Sequence, residues 1–267
     1  GNLEGFDPDK DALAFADMQE LDRWAVYRLG QVAQACRKAY DVYEFHAVYR
    51  ALYNFCVVDL SNFYFDIIKD RLYCGDKQGR RSARSALYTI LDGLTRLLAP
   101  ILAFTSDEIW KAMPHAKDAD PASPLLNDMP DLDPAASLSE AEQAKWAAVM
   151  ALRTDVNKAL ELARGEKTIG KSLEAHVTLY FDGEAKGLWE SALGSFTPDD
   201  LADLCIVSHV DAVLGSGTGY TGEALEGLTV EGAPAQGEKC GRCWKHHEGV
   251  NADGLCPRCA AVLDQEG

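Results

Sequence analysis

The run SARSALYTILDGLTRLL, residues 82–98, decides the fold class. Its apolar residues Ala83, Ala86, Leu87, Ile90, Leu91, Leu94, Leu97 and Leu98 recur three and four positions apart. That is the period of one helix face, not of a strand. Pro100 stops or kinks this helix. Upstream, Gly75–Arg81 reads as a polar loop, and about Glu44–Tyr73 as a second helix whose centre, Leu52–Ile68, is apolar on most sides. Asp59, Asn62 and Asp66 make a polar stripe along it. Such a stripe needs partners on neighbouring helices, because unpaired buried charge is costly. Asp17 with Glu20 reads as a capping box before Leu21, Trp24, Ala25, Val32, Ala35, Cys36 and Ala39 at helical spacing. Thr105–Glu108 reads as another, opening a helix through Trp110. Long helices with short connections predict an antiparallel bundle over residues 1–116.

Composition narrows the class. The 267 residues are 47% hydrophobic and 25% charged, an ordinary globular balance that excludes wholesale disorder. A net charge of −16 excludes a generic nucleic-acid coat, so a bound polyanion must meet a local patch. No apolar run approaches the roughly 18–20 residues of a membrane helix. There is no basic segment followed by an apolar stretch at the start, so neither a membrane partner nor secretion is expected. A reducing cytoplasm is expected instead, and with it free or metal-bound cysteines rather than disulfides.

Beyond the bundle, residues 117–138 form an acidic, Pro-rich excursion. Residues 139–171 read as a long helix opened by Ser139 and Glu142, with Trp146, Val149, Met150, Val156, Leu160 and Ala163 on one face, and a basic loop from Arg164 to Lys171. Residues 172–236 read as a small α/β unit. Strands are predicted at Val177–Phe181, Ile206–Val213 and Leu228–Glu231, with a helix from about Glu184 to Leu193 and a Gly-rich loop at Gly215–Gly222. The fold class is therefore mainly α, a helix bundle followed by a small α/β domain and a four-cysteine module at 237–267.

That module carries the sharpest chemical signal. Cys240-x2-Cys243 and Cys256-x2-Cys259 are separated by twelve residues. Two such knuckles let four thiolates converge on one Zn²⁺, and a four-cysteine site is closed and structural. Arg242, Trp244 and Lys245 lie around it, an aromatic between cations that suits base stacking and phosphate contact. The same Trp suits packing on a neighbouring domain.

Seven Lys and Arg face three Asp between Lys69 and Arg96. Within that window Arg80, Arg81 and Arg84 cluster at a helix start. There they oppose the dipole and call for an anion, either the Asp59 stripe or an RNA backbone. Lys167 and Lys171 in the basic loop are further RNA candidates. His46, His115, His176 and His209 show no partner pattern and read as structural or surface residues. No catalytic constellation can be defended, so no catalytic residue is assigned.

Four motifs, in order, carry a family resemblance. YNFCVVDLSNFYFDIIKDRLY (53–73) and LAPILAFTSDEIW (98–110) resemble the anticodon-binding helical domain of bacterial isoleucyl-tRNA synthetases. VNKALELAR (156–164) with IGKSLEA (169–175) resembles their C-terminal junction. EKCGRCW (238–244) with CPRC (256–259) resembles their terminal zinc module, which is related to the finger of formamidopyrimidine-DNA glycosylases. The second motif is shared with the valine and leucine enzymes.

The resemblance implies recognition of the anticodon arm of isoleucine tRNA, with Arg242 and Trp244 at the positions of the family's C-x-R-C-W contacts. Lys245-His246 departs from the usual step there. It also implies that the remainder of a synthetase chain, using ATP and Mg²⁺, performs the ligation, since HIGH-type and KMSKS-type motifs do not occur in this sequence. DNA is not expected as a partner. The alternatives are a stand-alone RNA-binding module and a fragment of a valine or leucine enzyme.

Overall fold

Asp7 accepts from the backbone N–H of Asp9 and opens a one-turn helix, α1 (Pro8–Asp11). A computed structural model of the chain describes residues 2–131 and 136–266, the side chains of 265 and 266 excepted. Residues 132–135 of the predicted excursion, and residues 1 and 267 at the outer ends of the predicted bundle and zinc module, lie outside the described residues. The chain divides into two units at 138/139.

In the first unit, α2 (Glu20–Asp41) packs on α3 (Phe45–Asn54) and on α5 (Lys77–Leu98). Between α3 and α4 (Phe65–Cys74), residues Phe55–Tyr64 keep the helical course but widen into π-helical turns, ending on a bond from Phe65 N–H to Leu60 C=O. In such i→i+5 turns three- and four-residue spacing no longer marks one face. This corrects the predicted polar stripe. Only Asp59 is buried, on Arg28 at 2.9 Å, whereas Asn62 is exposed and Asp66 pairs with Lys69 at the surface. Phe55, Leu60, Phe63 and Tyr64 are buried, with the Phe63 ring edge-on to Trp24 at 4.9 Å.

The acid at the centre of the bundle is instead Asp22. It is fully buried and accepts from Tyr64 Oη at 2.7 Å, Arg71 Nη1 at 2.6 Å and Ser82 Oγ at 2.5 Å. Ser82 Oγ in turn accepts from Gln19 N–H at 2.7 Å, so α5 holds the start of α2. The predicted Asp17–Glu20 capping box does not form; α2 begins after Gln19, which offers no side-chain cap.

Two further starts are corrected. The Gly75–Arg81 segment is not all loop, because Asp76 accepts from Gly79 N–H at 2.7 Å and starts α5 at Lys77. The helix α6 (Ala103–Ala112) begins ahead of Thr105, so Thr105–Glu108 lie inside it. The periodic face of α5 splits between two surroundings. Ala83, Ala86, Ile90 and Leu97 are buried, while Leu87, Leu91 and Leu94 line an apolar groove of about 490 Å³ with Leu3, Phe65 and Met113. The acidic excursion folds back on this unit through Trp110 Nε1 to Asp120 C=O, at 3.2 Å, and Arg37 to Asp131, at 3.0 Å.

The second unit opens with α7 (Glu140–Gly165), capped reciprocally by Ser139 and Glu142 as the sequence predicts. Its sheet has the order β2-β1-β4-β3, built from β1 (Ala175–Phe181), β2 (His209–Leu214), β3 (Tyr220–Thr221) and β4 (Leu228–Pro234). β1 and β2 are parallel; the other pairs are antiparallel. The crossover between β1 and β2 carries α8 (Gly183–Ser191) and α9 (Pro198–Cys205). The predicted strand start at Ile206 is corrected, since Ile206 is the left-handed cap of α9 (φ 57°). Thr197 and Asp200 cap the start of that helix, a signal present in the sequence.

Along β1, Ala175, Val177, Leu179 and Phe181 are buried, the period of two expected where one sheet face is covered. That inner side is pinned by Asp155 on α7. Its Oδ1 accepts from the N–H of Glu223 at 2.9 Å and of Ala224 at 3.0 Å, and its Oδ2 from that of Leu225 at 2.9 Å. Gly222 is required there, because a Cβ would stand 2.6 Å from Asp155 Oδ2.

Candidate metal centre and nucleic-acid interface

The four cysteines of the two knuckles converge. Cys240, Cys243, Cys256 and Cys259 present sulfurs that all lie within 4.8 Å of one another. Two short strands, β5 (Glu238–Lys239) and β6 (His246–His247), clamp the first knuckle, and α10 (Pro257–Glu266) grows out of the second. Cys240, Cys256 and Cys259 are buried and Cys243 half-buried.

Burial pushes the Cys240 thiol up, but backbone N–H groups of Cys243, Cys256 and Arg242 more than offset it and bring it down to about 6. Burial first, and the neighbouring thiols next, push Cys259 well up, and burial takes Cys243 up to about 11. Four sulfurs this close cannot all ionise unless a cation sits among them. The donor set therefore fits a soft tetrahedral metal such as Zn²⁺. The scattered cysteines are different: burial lifts Cys36 and Cys205 to about 11 and keeps them protonated.

The residues flanking the knuckle separate into inward and outward sets. Lys245 is buried and its ammonium pairs with Asp203 on α9. His246 N–H donates to Ser208 Oγ at 2.7 Å, and Ser208 donates to Leu173 C=O at 2.6 Å. These contacts seat the zinc module on the α/β body, so the Lys245 ammonium is already engaged. Arg242 reaches back to Cys259 C=O at 3.3 Å. Trp244, at φ 67°, turns outward and is 58% exposed. Lys239 Nζ lies 5.5 Å from its ring centroid, on one face of the indole.

Beside it opens a groove of about 750 Å³, lined by Arg164, Lys167, Thr168, Glu174, Lys239 and His246 together with the apolar Ile169, Pro234 and Ala235. The structure thus brings Lys167 to the zinc module, and Lys171 lies exposed on the same loop. Arg164, the first residue of the predicted basic loop, and His246, beside the first knuckle, complete the groove with Lys239. Of these only Lys239 was not singled out in the sequence; the signal available was a Lys one residue ahead of Cys240.

The arginine cluster on α5 belongs to the other unit and has a different job. Arg81 donates to the carbonyls of Asp11, at 2.8 Å, and Lys10, at 3.1 Å. Arg84 donates to Glu4 C=O at 2.6 Å and lies over the Phe6 ring. Their partners are neutral backbone carbonyls of the N-terminal segment, which corrects the expected pairing with the Asp59 stripe. Arg80 is half-buried and is itself engaged. The histidines remain structural or surface residues: His176 Nε2 meets Asp211 Oδ2 at 2.8 Å, and its ring is edge-on to His209. Among the described residues no helix is long and apolar enough to cross a membrane.

Comparison with known proteins matches both regions. Residues 22–179 match the family "Anticodon-binding domain of tRNA ligase", and residues 237–262 match "Zinc finger found in FPG and IleRS". The chain is 44% identical over 269 residues to an isoleucine–tRNA ligase of Syntrophotalea carbinolica, covering 98% of this chain and 28% of that protein. It is 42% identical over 270 residues to one of Geobacter sulfurreducens, with the same coverage. A third, from Symbiobacterium thermophilum, is 44% identical over 274 residues, covering 98% of this chain and 29% of that one. The chain thus spans less than a third of the length of these relatives and aligns with their C-terminal part. A helical bundle joined in sequence to a small sheet and a four-sulfur cluster, with the first match covering over half its length, places this chain in the family of tRNA-ligase anticodon-binding domains.

Proposed function

We propose that this chain is the tRNA-binding part of an isoleucine–tRNA ligase and that it holds the anticodon arm of isoleucine tRNA. The observation that carries this reading is the outward Trp244 beside the Arg164–Lys167–Lys239 groove, on a module that matches the zinc finger of the isoleucine enzyme. Phosphates meet the groove cations and set register. An unstacked base meets the free face of Trp244, whose other face is covered by Lys239. Lys171 adds charge on the same loop, whereas Lys245 and Arg242 hold the module in shape.

One Zn²⁺ held by Cys240, Cys243, Cys256 and Cys259 supplies folding free energy and no open coordination position. Ligation with ATP and Mg²⁺ belongs to the remainder of a longer, cytoplasmic synthetase chain. This chain on its own carries no ligase activity.

The test is binding of the zinc-loaded chain to isoleucine tRNA, an anticodon-swapped version and a non-cognate tRNA across a salt series. Preference for the isoleucine anticodon, lost in Trp244→Ala, is expected. Equal binding to all three, unchanged in Trp244→Ala, overturns the reading.

A further inference from the structure

The first unit holds a second hollow, of about 400 Å³, between α2, α5 and the segment ahead of α2. The residues explain why packing leaves it. The two helices approach closely where Leu29 lies on Gly93, at which a Cβ would stand 2.9 Å from Leu29 Cδ2. Beside that contact α2 offers the hollow only Gly30 and Ala33, which are too small to fill it. Leu13, Phe15 and Met18 ahead of α2, and Val26 on it, supply an apolar wall. No residue of this hollow belongs to the metal centre or to the groove beside it.

The polar side comes from α5, and one group on it is incompletely matched. Arg96 donates from Nε at 3.1 Å and from Nη2 at 2.9 Å, both to Oδ1 of Asp92. The favoured side-on arginine–carboxylate pair uses both oxygens. Here Oδ2 has no hydrogen-bond partner among the described residues. The Asp92 side chain is only 19% exposed. Burial pushes its carboxyl above the usual value, and the attraction of Arg96 and His115 does not bring it back. One guanidinium therefore leaves this acid under-compensated, and a further cation at Oδ2 would complete it. Asp131, which also lines the hollow, is already matched by Arg37 at 3.0 Å.

We propose that this hollow binds a small molecule with a primary ammonium group on a compact apolar body, the ammonium donating to Asp92 Oδ2 and the body lying against Phe15, Met18, Val26 and Leu29. The inference stands apart from the anticodon-arm reading. An ammonium is a compact charge that can meet one carboxylate oxygen while the planar guanidinium keeps the other. A neutral donor such as a hydroxyl would meet that oxygen but leave its charge uncompensated. The volume and the mixture of apolar wall with a few fixed polar groups are those of small-molecule sites. Two kinds of molecule carry this chemistry: a simple amine, and an apolar amino acid whose carboxylate would meet the remaining N–H groups of Arg96.

The test uses the full zinc-loaded chain in calorimetric titrations with phenethylamine, phenethyl alcohol and L-phenylalanine at neutral pH. Backbone-amide NMR locates the binding. Phenethylamine should bind saturably and about ten-fold or more tighter than the alcohol of the same shape, the difference expected of a charge-assisted hydrogen bond. Amide shifts should concentrate in residues 13–18, 26–33 and 89–96. Asp92→Asn, which keeps the shape and an acceptor for Arg96, should weaken amine binding by a similar factor and leave the alcohol as in wild type. Ala14→Phe, at an exposed position lining the hollow, should fill it and weaken both. Unchanged melting temperatures will show that the variants fold.

L-Phenylalanine binding as tightly as the amine assigns the site to amino acids; much weaker binding assigns it to simple amines. Saturable binding of neither overturns the proposal. So does equal binding of amine and alcohol, amine affinity unchanged in folded Asp92→Asn, or amide shifts confined to other residues. Should Asp92→Asn fail to fold, the amine–alcohol comparison on wild type and the Ala14→Phe variant decide the matter.

Discussion

Tyr64, in the π-helical stretch, donates its hydroxyl to the fully buried Asp22 of α2 at 2.7 Å. Burial first, and the Asp22 charge next, push this phenol well above its usual value. Tyr64→Phe should lower the unfolding free energy by about 1.5–3 kcal/mol in urea titrations, the range for a hydrogen bond to a charged group. Because the folded value is raised, this contribution is fully present below the unfolded phenol value of about 10 and is lost as pH rises through the folded one. Wild type should therefore lose stability above pH ~10 more steeply than Tyr64→Phe. Parallel alkaline profiles of the two proteins count against the pair.

Asp155 is the corresponding anchor in the second unit. Three backbone N–H groups of residues 223–225 end on its carboxylate. Asp155→Ala leaves them without that acceptor and should destabilise this unit by about 3 kcal/mol or more. Gly222→Ala should act in the same direction through its clash with Oδ2. Hydrogen exchange should show the loss in the second unit, with α2 and α5 still protected.

Metal removal should act locally. Apart from its cysteines, the four-cysteine module buries little of its own, so chelation should release residues 238–262 to rapid exchange and proteolysis. One equivalent of Zn²⁺ should restore protection, and Cys256→Ser should behave as the chelated protein does. Retention of protection in excess chelator would show that the seating contacts alone hold the module.

Lys167 and Lys245 allow charge and scaffold to be separated. Lys167 sits at φ 60° just past α7, in the turn closed by Thr168 N–H on Ala163 C=O, a position that favours glycine. Lys167→Gly should keep or raise thermal stability while lowering the salt slope of tRNA binding by about one. Lys245→Met removes the partner of Asp203. It should lower the stability of the zinc module and leave the salt slope unchanged. A lower slope in Lys245→Met would mean that its ammonium meets phosphate after all.

The sequence by itself determined the helical bundle, the Ser139 cap, the central strand and the four cysteines that converge. Each is written in local chemistry: a three-to-four residue period in α5, a reciprocal hydroxyl–carboxylate pair, alternation along β1, and thiols at fixed knuckle spacing. What it could not determine was which polar groups meet across the fold. Asp22 looks like any acid in a first turn until Tyr64, Arg71 and Ser82 close on it from more than forty residues away. The three-residue stripe on the second helix dissolves because the backbone there is π-helical. No local period announces that. The sequence leaves the partners of Arg81 and Lys245 open, and tertiary packing spends one on carbonyls of the N-terminal segment and the other on Asp203. The same packing leaves Trp244 and Lys167 facing solvent. A cation's availability depends on what the rest of the chain brings within 3 Å of it, and only the tertiary structure decides that.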